Sequence, residues 1–574
     1  MVDSNVLDLV AKFNAGRLSR RGLLQRATAL GLTAPVLATL SGRGISETRA
    51  AAPPAQIDAK TLVIADNMKD NWITLDPGWF YEINPAAALN LVFERLYDLP
   101  DSTKPEDFTP MLAAEMPQVS ADGMEVTIAL RPGVKFQTTG NELTADDVIY
   151  SWNRLKGIQF QGAFLATDYW DTVEAVDALT LKITLKSPNV ALVPILSALP
   201  LAITDSKAMM ANGGSGVSSD AAATPGAEQA DTAREWINAG NSPGTGPFML
   251  TAWDIEGEVV LERNPDYWGE APQLDRIIWR NIVDPNSQLQ AVEAGEADLA
   301  YAVDPDSAAA VKENPALQLI TGPTLAHEYI ALNTTEAVGG PLANKLVRQA
   351  IGYAIDYDGI ISGLMAGAAI KPASIAPEPL LATEEVRALG YVQDLERAQQ
   401  LFEESGVGPT TLNFTFGSGL SAEGGLDLET LTSKLQADLQ RIDGLTVTLV
   451  PMDPTTRLAD YRAGKLQFTI SGWSPDYPDI HTYAEPFGRT NTAAAKRVGF
   501  SNPAVDAALD RGIAEADPEK RKADYVEVLS TLIDEAPFHV LFQPIDQKAA
   551  NVSVQGVATH SVFMIQLRGA SKTA

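Results

Sequence analysis

The alternation of strand and helix patterns between residues 412 and 470 constrains the fold more than any other feature of the sequence. Three apolar strand patterns lie at 412–416, 445–449 and 468–470. An amphipathic helical pattern at 428–442 separates the first two, and a shorter one around 458–461 separates the last two. Because each helix returns the chain to the same end of a sheet, this order predicts an α/β lobe whose neighbouring strands are parallel.

The segment that follows the third strand pattern is an unusual loop. Residues 472–479 read Gly-Trp-Ser-Pro-Asp-Tyr-Pro-Asp, and we call them the binding segment. Its prolines restrict the backbone, and ligands of α/β sheets bind beyond the carboxyl ends of strands. We therefore predict that Trp473, Asp476, Tyr477 and Asp479 face a ligand that carries a positive charge.

Length and charge exclude several classes of protein. With 574 residues the chain exceeds what one hydrophobic core serves, so at least two domains are expected. The formal net charge of −30 argues against nucleic-acid binding, which requires a basic surface. The absence of cysteine excludes disulfides, thiolate metal sites, cysteine nucleophiles and the lipid-bearing cysteine of a bacterial lipoprotein.

The N-terminal residues 1–52 read as an export signal followed by a linker. Arg20 and Arg21 precede a moderately apolar run at 27–40, and three alanines follow at 50–52. This order resembles a twin-arginine signal, and the run is too short for a stable membrane span. We expect the mature protein to be soluble in the periplasm or otherwise outside the cytoplasm.

Enzyme and cofactor motifs fail when their chemistry is examined. Residues 240–244 match a nucleophile elbow, but Pro243 has no N–H to donate to an oxyanion. His327 begins a metalloprotease pattern that has Ala331 in place of the second histidine. With four histidines and no phosphate-binding Gly-Lys-Ser/Thr loop, we expect no catalytic residues, cofactor or metal, and we place His481 at the surface or at a helix start.

A series of short motifs extends along the chain. In order they are Leu-Arg-Pro-Gly-Val-Lys-Phe at 130–136, Leu-Thr-Ala-Asp-Asp-Val at 143–148, Gly-Thr-Gly-Pro-Phe at 244–248, Arg-Asn-Pro-Asp-Tyr-Trp at 263–268, Ala-Gly-Glu-Ala-Asp at 294–298 and Val-Arg-Gln-Ala-Ile at 347–351. Together they resemble the extracellular solute-binding proteins of bacterial ABC importers, family 5, the large peptide/nickel-binding class. The resemblance extends over about residues 61–565.

The resemblance implies a two-lobed periplasmic-binding-protein fold of type II, in the large class that carries an extra N-terminal subdomain. Lobe I would comprise 53–324, with the extra subdomain at about 91–195, and lobe II would comprise 325–543. Residues 544–574 would return to lobe I. A ligand cleft would lie between the lobes, and the protein would act as a monomer that docks onto an ABC permease.

The resemblance also suggests roles for individual residues. In peptide-binding members an aspartate after the lobe II strand pairs with the peptide α-ammonium, and by position this residue is Asp476, with Asp479 as a second candidate. Trp473 and Tyr477 would wall the site, and the alternative for Trp473 is packing at the edge of the lobe II core. The loop at 75–81 matches a ligand-facing segment, and at least one of Trp79, Phe80 and Tyr81 should face the cleft because three consecutive aromatics cannot all enter one core.

The expected function is capture of a peptide-like solute and its delivery to a permease. An oligosaccharide, an opine or another cationic metabolite would also suit a cleft of aromatics and carboxylates. A nickel chelate fits less well with so few histidines. An exported hydrolase is the alternative from a different class.

Overall fold

The structure is a computed structural model that describes residues 58–69, 72–81, 84–215, 231–380 and 383–573. The predicted twin-arginine signal lies outside the described residues, as does most of the Gly, Ser and Ala-rich insertion at 211–231. Within the described residues, no helix combines the length and apolar character that a membrane crossing requires.

The strands are numbered in chain order. They are β1 Thr61–Asp66, β2 Tyr97–Asp98, β3 Thr109–Pro110, β4 Gln118–Val119, β5 Glu125–Ala129, β6 Trp170–Asp177, β7 Thr180–Leu185, β8 Phe248–Trp253, β9 Glu258–Arg263, β10 Arg276–Asn281, β11 Leu299–Ala300, β12 Leu317–Pro323, β13 His327–Leu332, β14 Ala369–Ile370, β15 Thr410–Gly417, β16 Leu445–Met452, β17 Phe468–Trp473, β18 Phe538–Asn551, β19 Val554–Gln555, β20 Ala558–His560, β21 Met564–Gln566 and β22 Ser571–Lys572.

The α-helices lie between these strands. They are Ala86–Val92, Ala145–Ile158, Phe164–Thr167, Leu192–Leu196, Ser206–Ala211, Ala233–Asn238, Pro285–Glu293, Pro305–Glu313, Glu336–Gly339, Lys345–Ala354, Glu384–Leu389, Leu395–Glu404, Leu428–Leu439, Pro454–Arg462, His481–Gly488, Ala493–Val498, Pro503–Ala514 and Pro518–Glu535.

One long strand joins the two halves of the largest sheet, whose strand order is β16-β15-β17-β13-β18-β11-β1-β10-β9-β8. The first residues of β18 pair with β13, and its residues 545–551 pair with β12. The chain thus crosses between the halves twice, between β12 and β13 and within β18. The crossings are adjacent, since the Thr324 hydroxyl donates to the Pro544 carbonyl at 3.0 Å and the Gln543 amide donates to the Thr324 carbonyl at 2.5 Å.

The alternating patterns form the sheet that the sequence predicts. Strand β15 runs parallel to β16 and to β17, and the helices Leu428–Leu439 and Pro454–Arg462 make the connections. The next neighbours, β13 and β18, run antiparallel, so the sheet is mixed beyond these three strands. The helical leucines are buried against the strands because they recur at helical spacing on one face.

The N-terminal hairpin belongs to a separate four-stranded sheet with the order β4-β5-β7-β6. Its antiparallel β4 and β5 flank a turn at residues 120–124. The helix Ala145–Ile158 starts within the motif at 143–148, because Thr144 and Asp147 form a capping box that satisfies backbone N–H groups at the helix start.

The apolar side chains form several cores. One core combines β1 and β8–β10 with C-terminal residues 550–570, and others fill the half that contains β13–β17. A further core draws almost all its members from residues 96–203, and Tyr477 of the binding segment is among them. The binding segment is therefore anchored in a core that is remote in sequence.

Candidate functional site

Two adjoining cavities lie around the binding segment. The first, which we call the arginine chamber, has a volume of about 1420 Å³ and is lined by residues that include Tyr81, Arg462, Trp473, Asp476 and Arg497. The second, which we call the acidic chamber, has a volume of about 1500 Å³ and is lined by residues that include Asp66, Asp304, Glu423, Asp546 and Lys548. Both are also lined by Ser474, Pro475 and Val562, so the chambers adjoin at these three residues.

The sheet places the binding segment at the chambers. Strand β17 continues three residues further than the predicted strand pattern, to Trp473, and the loop that follows lies beyond its carboxyl end. Gly472 allows a close approach there, because a Cβ at this position would lie 2.7 Å from an oxygen of Glu423. A side chain at position 472 would therefore displace the acidic chamber's Glu423.

Asp476 lies half-buried in the arginine chamber and contacts the opposite half of the protein. Its Oδ1 accepts a hydrogen bond of 2.6 Å from the hydroxyl of Tyr81. Burial raises the pKa of Asp476 to about 6, while the hydrogen bonds from Tyr81 and Thr482 act to lower it. The carboxylate is thus poised to ionise near neutral pH, and a bound cation would favour that form.

Two guanidinium groups face the same chamber. Within the described part of the chain, neither Arg462 nor Arg497 has a carboxylate within 4.0 Å. The Arg497 guanidinium lies 5.2 Å from the ring centre of Tyr461 and 5.9 Å from that of Trp473. A chain of net charge −30 has acids in excess, so two arginines without an acidic partner leave positive charge available to a ligand.

Trp473 contributes an apolar wall to the arginine chamber. Its ring packs edge-on against Phe487 at 5.1 Å between ring centres. Among the described residues its indole N–H has no hydrogen-bond partner. Trp473 therefore packs against Phe487 and places an indole N–H that can donate a hydrogen bond beside the cavity.

The aromatic loop at 75–81 places two of its three consecutive aromatic residues at the cavity. Phe80 and Tyr81 line the arginine chamber. Trp79 instead packs 5.6 Å from the ring of Phe160 and 4.5 Å from the guanidinium of Arg234, and it is not among the residues that line either chamber. Of the three aromatics of which at least one was expected to face a cleft, Phe80 and Tyr81 line the cavity and Trp79 does not.

Tyr477 and Asp479 lie away from both chambers. Tyr477 is 2 % exposed, and its hydroxyl lies 3.3 Å from that of Tyr169. Asp479 accepts hydrogen bonds of 2.8 and 3.0 Å from the Arg521 guanidinium and one of 2.7 Å from the His481 backbone N–H. These contacts hold the binding segment in place, so both residues support Asp476 from outside the chambers.

His481 is buried at the start of the helix His481–Gly488, so a helix-start position is confirmed and a surface position is wrong. Its Nδ1 lies 2.9 Å from the Tyr525 hydroxyl, and burial lowers the pKa of His481 to about 4. The ring is neutral at physiological pH. Where the structure describes the chain, no group of three or more histidine and acidic side chains is placed to hold a metal ion.

Arg462, Arg497 and Glu423 are chamber residues that sequence reasoning missed. Arg462 is the last residue of the helix that leads into β17, and Arg497 lies in the last turn of the helix Ala493–Val498. Both positions are also favourable for a cation because a helix C-terminus carries partial negative charge. Basic residues in the last turn of a helix are common, so their positions in the sequence do not indicate a binding cavity. The structure indicates one because both side chains line the same cavity as Trp473.

Comparison with known proteins agrees with this architecture. Residues 107–495 match the family described as Bacterial extracellular solute-binding proteins, family 5 Middle. The chain is 28% identical over 487 residues to the Probable D,D-dipeptide-binding periplasmic protein DdpA of Escherichia coli (strain K12), covering 84% of this chain and 89% of that protein. It is 28% identical over 496 residues to the Glutathione-binding protein GsiB of Pectobacterium atrosepticum, covering 84% and 88%.

The fold matches a solved structure over almost its whole length. The ABC transporter-associated periplasmic binding protein DppA from Helicobacter pylori, in complex with peptide STSA, aligns with a TM-score of 0.70 at 22% sequence identity, covering 88% of this chain and 98% of that one. The predicted α/β, two-lobed periplasmic-binding-protein fold is confirmed. Because the family match extends over more than half of its 574 residues, this chain belongs to the bacterial extracellular solute-binding proteins, family 5.

Proposed function

We propose that this protein captures a peptide-like solute outside the cytoplasm and delivers it to an ABC permease, without catalysing a reaction on the solute. The observation that carries the proposal is the charge arrangement of the arginine chamber, where Asp476 lies with Arg462 and Arg497. The relatives named for dipeptide and glutathione binding support the same class of solute.

The chamber charges match the two ends of a short peptide. Asp476 accepts hydrogen bonds from the α-ammonium, and Arg462 with Arg497 donates to the carboxylate. Charge-assisted bonds of this kind are roughly twice as strong as neutral ones, and closure of the two halves around the solute would strengthen them further by excluding water. Trp473 and Phe80 supply apolar surface to the part of the peptide between its ends.

Closure around the solute requires two halves that rotate as units. The paired crossings at 323–327 and 543–545 suit a hinge, because adjacent hydrogen-bonded strands bend together. The proposed lobe limits of 325 and 543 fall at these crossings. The hydroxyl of Tyr81 reaches Asp476 from the other half, so the ammonium site is completed only when the halves approach.

Export and assembly complete the proposal. A twin-arginine signal at 1–52 carries the chain out of the cytoplasm, and the mature protein acts as a monomer. The separate ATPase subunits of the importer supply the energy of transport. This division of labour requires the solute to bind the closed form more tightly than the open form.

Blocking the ends of a peptide tests the charge arrangement. A thermal-shift screen of dipeptides and tripeptides identifies a bound peptide, since ligand at about 100 times its Kd stabilises the fold by about 2.7 kcal/mol. Calorimetry then compares that peptide with its N-acetylated and C-amidated forms. We expect each block to weaken binding about tenfold or more, because each removes one charge that the chamber complements.

Arginine variants test whether Arg462 and Arg497 bind the carboxylate of the peptide. In Arg462→Gln/Arg497→Gln we expect the free peptide to lose about tenfold or more in affinity while the C-amidated peptide binds as it does to the unmodified protein. Arg276→Gln is the matched control, since Arg276 pairs with Glu262 at the surface. Equal affinity for free and amidated peptides in the unmodified protein would contradict the proposal, as would turnover of the bound peptide.

The pH dependence of binding follows from Asp476. Because burial raises its pKa to about 6, the free chain must release a proton before it binds an ammonium group at lower pH. Affinity for a free-amine peptide should therefore be constant between the pKa of Asp476 and the pKa of the peptide α-ammonium, about 8, and fall about tenfold for each pH unit below the pKa of Asp476. Calorimetry at several pH values measures this slope, and a flat profile in the unmodified protein would place the ammonium elsewhere.

A further inference from the structure

We propose that the acidic chamber receives a second positively charged group of the same solute, an ammonium or guanidinium side chain, and that Glu423 binds it. The inference rests on the proposed function and narrows its solute class to basic peptides. It concerns the acidic chamber, whose lining residues, apart from Ser474 and Pro475, lie outside the binding segment and the other sequence motifs.

The acidic chamber has an excess of negative charge. Four carboxylates line it, those of Asp66, Asp304, Glu423 and Asp546, against the single ammonium of Lys548. The Lys548 ammonium is already committed, because it pairs with Asp546 at 3.0 Å and donates to the Tyr301 carbonyl at 3.1 Å. No positive charge in the chamber is left to neutralise the other three carboxylates.

Glu423 is the acid that lacks a partner. Asp66 accepts a hydrogen bond from the Trp72 indole at 3.2 Å, and Asp304 accepts one from the Asn286 amide at 3.1 Å. Across the described residues, the Glu423 carboxylate has no hydrogen bond and no cation within 4.0 Å. A carboxylate that lines a cavity without a partner is suited to a donor that arrives with the ligand.

The backbone fixes Glu423 in that position. Its N–H donates to the Glu328 carboxylate at 3.1 Å, and Glu328 lies on β13 directly beside Gly472. Burial is the cause that raises the pKa of Glu423 to about 7. A bound cation would offset this burial by favouring the ionised form, so ligand and carboxylate stabilise each other.

A second observation indicates a donor-rich occupant. Ser561 lines the chamber and is 8 % exposed, and its hydroxyl has no hydrogen-bond partner among the residues that the structure describes. The side-chain oxygens of Asn67 and Gln547, which also line the chamber, are likewise unpaired within that part of the chain. Ammonium and guanidinium groups carry several donors and no acceptor, which matches this set of acceptors.

The two chambers fit one solute because they adjoin at Ser474, Pro475 and Val562. A peptide whose α-ammonium is at Asp476 has its main chain in the arginine chamber, and a basic side chain passes beside Ser474 and Pro475 to Glu423. An acidic side chain would meet like charges there, so the chamber also discriminates against acidic peptides.

Matched tripeptides test the inference. The probes are three trialanine derivatives with lysine at the first, second or third position, the corresponding norleucine peptides, and the corresponding glutamate peptides. Calorimetry at about pH 7.5 keeps the lysine side chain charged. We expect one lysine peptide to bind at least about tenfold more tightly than its norleucine counterpart, and the glutamate peptide to bind least tightly.

The variant Glu423→Gln assigns the preference to its residue. It should lower the affinity for the preferred lysine peptide about tenfold and leave the norleucine peptide unchanged. Glu429→Gln is the matched control, because Glu429 is exposed in the first turn of a neighbouring helix. It should keep the full preference for lysine.

The outcomes separate this inference from the proposed function. If norleucine peptides bind as tightly as lysine peptides at every position, the acidic chamber is not a cation site while peptide capture stands. The same holds if the lysine preference persists in Glu423→Gln. If none of the tripeptides binds, the proposed function fails together with the inference.

Discussion

In Asp476→Asn, a peptide with a free α-ammonium should bind about 10- to 100-fold more weakly than it binds the unmodified protein. The substitution removes the negative charge but keeps a side chain of the same shape. An amide oxygen can still accept the hydrogen bond that Tyr81 donates to Asp476 at 2.6 Å. The contact between the two halves is thereby retained, and the loss reports the missing charge. Isothermal titration calorimetry gives the two dissociation constants.

The N-acetylated peptide completes a thermodynamic cycle of two proteins and two peptides. Since it has no ammonium group, it should bind Asp476→Asn and the unmodified protein about equally, so that the coupling energy isolates the pair. Asp479→Asn provides the contrast, because Asp479 pairs with Arg521 outside the chambers. We expect Asp479→Asn to lower the melting temperature and to keep most of the affinity. Intact affinity in Asp476→Asn with lost affinity in a folded Asp479→Asn would reverse the assignment.

The sequence predicted the parts of the fold that depend on local pattern. The helix between β15 and β16 follows from leucine spacing, and the helix at Ala145 follows from the capping residues Thr144 and Asp147. These features are decided by neighbours within a few turns of chain. The antiparallel pairing of β13 with β17 depends on a partner more than one hundred residues away, and no local pattern carries it.

The same limit applies to the candidate site. The binding segment extends from the end of β17 into the loop beyond it, as predicted, but local pattern did not distinguish Asp476 from Tyr477 and Asp479, and only the resemblance ranked Asp476 first. Tyr477 contacts Tyr169 outside the chambers, and Asp479 pairs with Arg521. Both partners belong to segments that are distant in sequence. Tertiary contacts therefore decide which of the four predicted side chains of the binding segment line a chamber.

The aromatic loop at 75–81 is positioned by a buried charge cluster. Arg154 makes bonds of 2.7 Å to both oxygens of Asp76 and bonds of 2.8 and 2.7 Å to Asp231. Asp76 also accepts from the Gly78 N–H at 2.9 Å, which forms the turn before Tyr81. The side chains of Arg154, Asp76 and Asp231 are at most 3% exposed, so their charges depend on each other.

Arg154→Met should lower the free energy of unfolding by about 3–5 kcal/mol, because it leaves two carboxylates buried without a counter-charge. Urea denaturation at neutral pH measures the change. Arg154→Lys should lose less, since an ammonium keeps the charge but cannot make the paired bonds that a guanidinium makes with a carboxylate. A loss below about 1 kcal/mol in Arg154→Met would show that water reaches the cluster and screens it.

The pH dependence of Arg154→Met distinguishes loss of charge pairing from loss of packing. Burial acts to raise the pKa of Asp231, but its bonds to Arg154 hold that pKa below the usual value in the folded protein. A lowered folded-state pKa contributes stability that is present above the unfolded-state pKa of about 4 and is lost as the pH falls. The difference between the unmodified protein and Arg154→Met should therefore narrow in acid. If it stays constant with pH, Arg154 contributes to stability through packing, and its charge pairing with Asp76 and Asp231 does not.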